Sequence, residues 1–337
     1  MNTENNNPKT LTEAVRYFAD LDKAQQYFVN VRWSAGVCCP HCGSMNVHYL
    51  ANQRRWKCNE KHPRCQFSAK VGTVFEESPL GLDKWLVVVW LEVNAKNSIS
   101  SYEVARALGV TQKSAWFMLH RVRHAMHVGS FEKKMSGIVE ADETFVGGKA
   151  ANMHKGRHAR CLSEGWKGKT AVMGLLQRHS KNKHSVVRTA VIANRRAETV
   201  QPIIRQNVQT GEIVFTDELS GYRGLSDAFA HRFVNHAERY VHGIVHTNGL
   251  ENFWSLFKRC IKGTHVSIEP FHLAAYVDSE AFRFNNRELN DAGRFAVALP
   301  SVVGKRITYS QLIGKFDAEC RIDADNIAEN GESLLPN

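Results

Sequence analysis

The stretch "IVEADETFVGG" (138–148) sets three carboxylates, Glu140, Asp142 and Glu143, into a run that otherwise favours a β-strand ending in a glycine turn. Acidic side chains are depleted from strands and costly to bury alone, so these need partners. Asp217 closes the apolar run that begins at Ile213, and Glu251 lies on a helix read from Asn248 onward, packed through Leu250, Phe253, Trp254 and Phe257. There are 74 residues between Asp142 and Asp217, and 33 between Asp217 and Glu251. Carboxylates gathered this way repel one another unless cations lie among them. Hard divalent ions with oxygen ligands are the ones that serve displacement at phosphorus. Asp142, Asp217 and Glu251 are therefore read as catalytic, and as ligands of two Mg²⁺ (or Mn²⁺) ions. Residues two apart share a strand face, which puts Glu140 beside Asp142 as a supporting residue. Glu143 faces the other way and is not expected in the site unless the strand is bulged.

A second constellation is built from sulfur. Cys39-x2-Cys42 and Cys58-x6-Cys65 are separated by fifteen residues that alternate enough for a hairpin, and Gly43 permits a tight knuckle. That is the layout of a zinc ribbon, four thiolates holding one structural Zn²⁺. The second gap is longer than usual, so Cys38, His41 and His62 remain as further candidates. Cys161, Cys260 and Cys320 read as isolated structural thiols. Arg54, Arg55, Lys57, Lys61 and Arg64 surround Trp56 on this module, a pairing of cations and an aromatic that suits a nucleic-acid backbone.

Helices must connect the two constellations. Ser100 and Glu103 fit a capping box, Gly109 a helix stop and Thr111 the N-cap of a following helix, leaving a three-residue turn. That turn is right for a helix-turn-helix whose second helix enters the major groove. Gln112, Lys113, His120, Arg121 and Arg123 are its candidate DNA donors. Residues 10–30 show helical spacing through Leu11, Val15, Phe18, Leu21 and Phe28.

Bulk properties agree with a polyanionic partner. The 337-residue chain carries +11, and residues 1–316 alone hold 43 basic against 27 acidic groups, or +16. The longest apolar run, "WLVVVWL" (85–91), is far too short for a membrane span, and the N-terminus has no signal pattern. A cytosolic, reducing setting follows, with thiols free for metal. Length argues for several domains. They are read as an N-terminal helical segment (1–30), the ribbon (31–78), the helix-turn-helix region (79–130), an α/β catalytic domain (131–300) and an acidic C-terminal tail (301–337).

"VEADETFVGGK", "TDELSGYRGL" and "HTNGLENFWSLFKRCIKGTHVSIEPFHLAAYVDSEAFRFNNR" together resemble the DDE transposases of bacterial insertion sequences. More narrowly they resemble the zinc-ribbon group related to Merlin elements, insertion-sequence family fifteen ninety-five. "VGTVFEESPLGLDKW" after the ribbon adds to the likeness, which covers about residues 30–290. The resemblance implies a ribonuclease-H-like fold, a mixed sheet with helices on both faces, with the acids on the first strand, after the fourth and on a late helix. It implies cleavage and strand transfer on double-stranded DNA, recognition of terminal inverted repeats by ribbon and helix-turn-helix, and at least a dimer in the bacterial cytosol at the nucleoid. Lys258 matches a basic residue that follows the third acid and contacts DNA, with Arg259 beside it. "VGGK" becomes a hairpin turn that brings Lys149 near the DNA, and the basic stretch from Lys149 to Lys183 holds phosphates. Some members place Asn at the third position, so Asn248 stands as an alternative to Glu251. A nuclease without strand transfer, or an inactive DNA-binding descendant, shares much of this pattern.

Overall fold

Residues 7–127, 133–147, 169–179, 184–217, 220–234 and 245–314 are described in a computed structural model of the chain. The N-terminal spacing resolves into two helices, α1 (Leu11–Phe18) and α2 (Leu21–Arg32). The break is Asp20, whose carboxylate accepts from the N–H groups of Asp22 and Lys23 and starts a second helix instead of continuing the first. The new helix starts a new phase. Ala14, Phe18, Ala24 and Phe28 are buried, while Leu11, Val15 and Leu21 of the expected stripe are exposed.

Three short antiparallel strands follow, β1 (Val47–Leu50), β2 (Arg55–Cys58) and β3 (Gln66–Phe67). Trp56 is 7% exposed and packs between Tyr49, Phe67 and Trp33, so it is a core residue of the ribbon and not a free stacking platform. The apolar run at 85–91 forms the middle of α3 (Leu82–Asn94), which is buried almost all round. Around it stand α4 (Ser101–Leu108) and α5 (Gln112–Met126), with the expected caps: the Ser100/Glu103 box, left-handed Gly109 at φ 60° and the Thr111 hydroxyl accepting from Ser114 N–H.

This helical body is completed from the far end of the chain. Phe295 and Ala298 of α9 (Asp291–Ala298), then Leu299 and Val302, share one core with α1–α5 and the ribbon. Val74 N–H donates to Val302 O and Gly304 N–H to Gly72 O. The expected boundaries near residues 30, 78 and 300 therefore do not separate cores. Residues 301–314 are a docked segment and not a tail; the acidic stretch beyond them lies outside the described residues. Near the end of α3, Glu92 is fully buried and is bound by Arg123 through two nitrogens at 2.9 and 3.0 Å, by Ser279 at 2.8 Å and by Arg283 at 3.5 Å.

The second body is a five-stranded mixed sheet. Its strands are β4 (Ile138–Val146), β5 (Thr170–Gln177), β6 (Val186–Ile192), β7 (Ile213–Asp217) and β8 (Ala230–Val234), in the order β6-β5-β4-β7-β8. Strands β4, β5 and β6 are antiparallel neighbours; β7 and β8 run parallel to β4. One face packs α6 (Ala197–Asn207) through Val139, Ala141, Val200 and Ile204. The other packs α7 (Asn248–Cys260) and α8 (Leu273–Asn285) through Val172, Leu176, Leu250, Phe253 and Val277. Helices on both faces of a mixed sheet match the expectation. The tight turn does not: Val146 pairs with Thr170, so "VGGK" only opens a long connection. Lys149, Cys161, Cys320 and most of the basic stretch to Lys183 lie outside the described residues.

Candidate active site

Strands β4 and β7 run side by side, Ile138 against Ile213 and Glu140 against Phe215. The same register sets Asp142 beside Asp217, the last residue of β7. Both acids thus stand at the carboxyl edge of parallel strands, where open α/β sheets place their ligands. Thr216 helps fix this edge, its hydroxyl donating to Asp217 O at 2.7 Å and meeting His231 Nε2 at 2.9 Å.

Carboxylate oxygens of Asp142, Glu143 and Asp217 all lie within 4.8 Å of one another. Trans ligands of an octahedral Mg²⁺ span about 4 Å, so the donor type and the spacing both suit a hard divalent cation. Glu143 is the residue that the alternation rule excluded. Its side chain starts on the α6 face, as expected, but β7 stops at Asp217 and among the described residues no strand continues alongside β4 there. The buried Tyr222 hydroxyl donates to Glu143 and steers it to the rim. Its adjacency to Asp142 in the strand was the one available signal.

The electrostatics follow from this crowding. Burial, then repulsion from Asp217 and Glu251, pushes Asp142 up to about 6, opposed by the Trp254 indole N–H at 3.1 Å. Glu143 rises to about 7, chiefly through burial, with Asp217 and Asp142 adding to it and Tyr222 opposing. Tyr222 is itself pushed well above the usual phenol range by burial and by Glu143.

A cavity of about 800 Å³ opens over Asp142 and Glu143. Its far wall is one side of α7 and the π-helical turn at Ile261–His265 that extends it: Glu251, Ser255, Lys258 and Lys262 recur at helical spacing, with Arg259 adjoining. Glu251 is exposed and faces Asp142 across this space; it is not in the close carboxylate group. Lys258, Arg259 and Lys262 also line the cavity. Asn248 opens α7, is exposed and does not line the cavity; its N–H lies 3.4 Å from His246 Nδ1.

In the ribbon, Cys39, Cys42, Cys58 and His62 bring their ligand atoms within 4.8 Å of one another. Cys39 Sγ lies 3.5 Å from His62 Nε2, and Cys42 Sγ 3.7 Å from Cys58 Sγ. A tetrahedron with Zn–S near 2.3 Å and Zn–N near 2.05 Å has edges of about 3.6 and 3.8 Å, so the set fits zinc. The left-handed Gly43 makes the knuckle, and N–H groups of His41 and Cys42 aimed at the Cys39 sulfur lower its thiol despite burial. Cys65 falls outside this group. The longer second gap lets His62 swing inward, while Cys65 keeps a main-chain role, its carbonyl accepting from Cys58 N–H at 2.7 Å.

The expected DNA-facing residues divide. Lys113 is exposed at the start of α5, and Gln112 is half-buried with its amide 2.8 Å from Ser101 Oγ. His120, Arg121 and Arg123 are 2–4% exposed, a correction to their reading as donors. The second half of α5 is surrounded by α3, α8 and the docked C-terminal segment, and Arg121 donates to the carbonyls of Val74, Glu76 and Ile307. Arg55 is exposed; Arg54, in a left-handed conformation, forks onto the Asp22 carboxylate at 2.5 and 3.3 Å. Among the described residues no helix is long and apolar enough to cross a membrane.

Comparison with known proteins points the same way as the geometry. Residues 134–285 match the ISXO2-like transposase domain, and residues 20–67 match the transposase zinc-ribbon domain. A protein of Halobacterium salinarum described as an uncharacterized protein in transposable element ISH50 is 26% identical over 298 residues, covering 84% of this chain and 96% of its own length. An uncharacterized transposase-like protein of Haemophilus influenzae is 34% identical over 104 residues, 31% of this chain and 84% of its own. The chain belongs to the ISXO2-like transposases of insertion-sequence family 1595.

Proposed function

We propose that the protein is a DNA transposase that binds the terminal inverted repeats of its element and performs DNA cleavage and strand transfer at the β4–β7 edge. The observation that supports this best is the neighbouring pair Asp142 and Asp217 at that edge, with Asp142 lining a cavity that Glu251, Lys258 and Lys262 also line. Asp142, Asp217 and Glu251, joined by Glu143, would hold divalent cations, Mg²⁺ or Mn²⁺. When bound, such ions supply Lewis acidity at the phosphorus oxygens and at the attacking oxygen.

The chain's own groups do the rest. Lys258, Arg259 and Lys262 neutralise backbone phosphates and hold the strand over the acids. Trp254 donates to one Asp142 oxygen and so holds the carboxylate of a residue that lines the cavity. Water attacks the phosphorus first and expels the 3′-oxygen of the element end. The freed 3′-hydroxyl then attacks a target phosphodiester, forming one P–O bond as another breaks. The ribbon, with zinc on Cys39, Cys42, Cys58 and His62, and the start of α5 with Gln112 and Lys113 would read the repeats. Two ends must be held together, so the working unit is at least a dimer, acting at the nucleoid.

The test uses a supercoiled plasmid carrying the coding region with its flanking repeats, incubated with Mg²⁺. Nicked and joined products are expected from the parent and none from Asp142→Ala. Equal cleavage by that variant would overturn the site, and cleavage that never yields joined products would make the protein a nuclease.

A further inference from the structure

Glu140 shares the strand face of Asp142, but its carboxylate is spent elsewhere. It is 1% exposed; Oε1 accepts from Arg178 Nε at 2.6 Å and Oε2 from Leu250 N–H at 3.0 Å. Leu250 is in the first turn of α7, where N–H groups lack intrahelical partners, and Thr247 at the N-cap supplies no side-chain bond. A carboxylate on the sheet thus caps a helix from outside it, with the favourable charge for a helix N-terminus. Arg178 extends the tie to the segment entering the helix, donating to His246 O at 2.8 Å and His246 Nδ1 at 2.7 Å.

Four residues along the helix the contact repeats. Trp254 Nε1 donates to Asp142 Oδ2 at 3.1 Å. Four helical residues advance about 6 Å and two strand residues about 6.7 Å. Helix and strand therefore stay in step over both contacts, Glu140 with Leu250 and Asp142 with Trp254. Two glycines make the approach possible. A Cβ on Gly249 would stand 2.8 Å from Glu140 Oε2, and one on Gly174, the β5 partner of Asp142, 2.6 Å from the Trp254 ring.

We infer that Glu140 is a positioning residue: with Trp254 as the second contact, it docks α7 on β4 and so sets Glu251 opposite Asp142. This rests on the proposed active site and adds how its third acid is located. It also explains why the strand carries an acid that is neither solvated nor in the close carboxylate group.

The test measures Mn²⁺ affinity of the zinc-loaded full chain by calorimetry. Its variants are Asp142→Ala, Glu251→Ala, Glu140→Gln, Gly249→Ala and the double Glu140→Gln/Glu251→Ala. Residues that orient metal ligands typically change affinity by about 10–100-fold. Glu251→Ala, Glu140→Gln and Gly249→Ala are each expected to weaken Mn²⁺ about ten-fold, and the double variant less than two-fold beyond Glu251→Ala. Gly249→Ala keeps the test usable if Glu140→Gln misfolds, because alanine favours helix and only the crowding opposes it. Losses that multiply in the double variant, or Gly249→Ala binding like the parent, would overturn the inference. Unchanged binding in Asp142→Ala and Glu251→Ala would instead overturn the active site itself.

Discussion

Asp142 is crowded by three acids and restrained by one indole, and the single-residue predictions start there. Glu143 belongs to the close carboxylate group although it leaves the strand on the opposite face. Glu143→Gln keeps its size and its bond from Tyr222 while removing one charge. It is expected to raise the Mg²⁺ concentration needed for half-maximal cleavage by about ten-fold; an unchanged Mg²⁺ dependence would remove Glu143 from the site. In the ribbon, His62→Ala should release zinc to a chelating dye, while Cys65→Ser should keep one zinc per chain. The opposite outcome would return the fourth position to Cys65. Asp142 and Asp217 were legible because acids are rare inside or at the end of an apolar strand. Glu143 and His62 were not: alternation assumes a neighbouring strand on each side, and the cysteine spacing gives no sign of which residue in a long gap turns inward. Arg121 and Arg123 were misread because a polar side chain on a helix looks exposed until what packs beside it is known.

Among the elements, those with local punctuation were readable, and those made by distant partners were not. The Ser100/Glu103 box, Gly109 and Thr111 fixed α4 and α5 before any packing was considered. Nothing near Glu92 announces that Arg123 and Arg283, from two other helices, will enclose it. Two guanidiniums hold this carboxylate below its usual range despite complete burial. Removing one member of a buried ion pair leaves the other uncompensated, typically at about 3–5 kcal/mol. Arg123→Ala is therefore expected to lower unfolding free energy by that order in urea titration, with the ribbon's zinc retained. A loss below about 1 kcal/mol would mean that water replaces the guanidinium. Because α8 carries Ser279 and Arg283 and also packs on the sheet, this cluster ties the helical body to the sheet.

For the whole molecule, the same junction sets the response to acid. His120 is 2% exposed, packed against Trp116 and His272, with the Tyr276 hydroxyl 3.3 Å from Nε2 and Arg123 nearby. Burial, then Arg123, pushes it down to about 2, and burial pushes His265 to about 4. Below about pH 6.5 the unfolded chain takes up protons that the folded one refuses, so stability falls with acidification, by about 1.4 kcal/mol per pH unit for His120 alone. His127 has the opposite sign: its bond to Asp278 raises it, and that contribution is full below its ordinary range and lost as pH rises. His127 is half exposed, so the buried residues dominate. Urea midpoints at pH 7 and pH 5 should differ markedly in the parent and less in His120→Leu; an equal difference would place the acid sensitivity elsewhere. The strand pairing of residues 72–74 with 302–304 bears on how the protein is made. The ribbon and the α4–α5 pair leave the ribosome first, but Phe295, Leu299 and Val302 reach them only after the entire five-stranded sheet has been synthesised. A message broken midway would therefore yield a first half without the residues that complete its core, and residues 1–130 alone should show poorly dispersed NMR spectra. On the proposed function, possession of the element's ends would be granted only to a chain that already carries its second half.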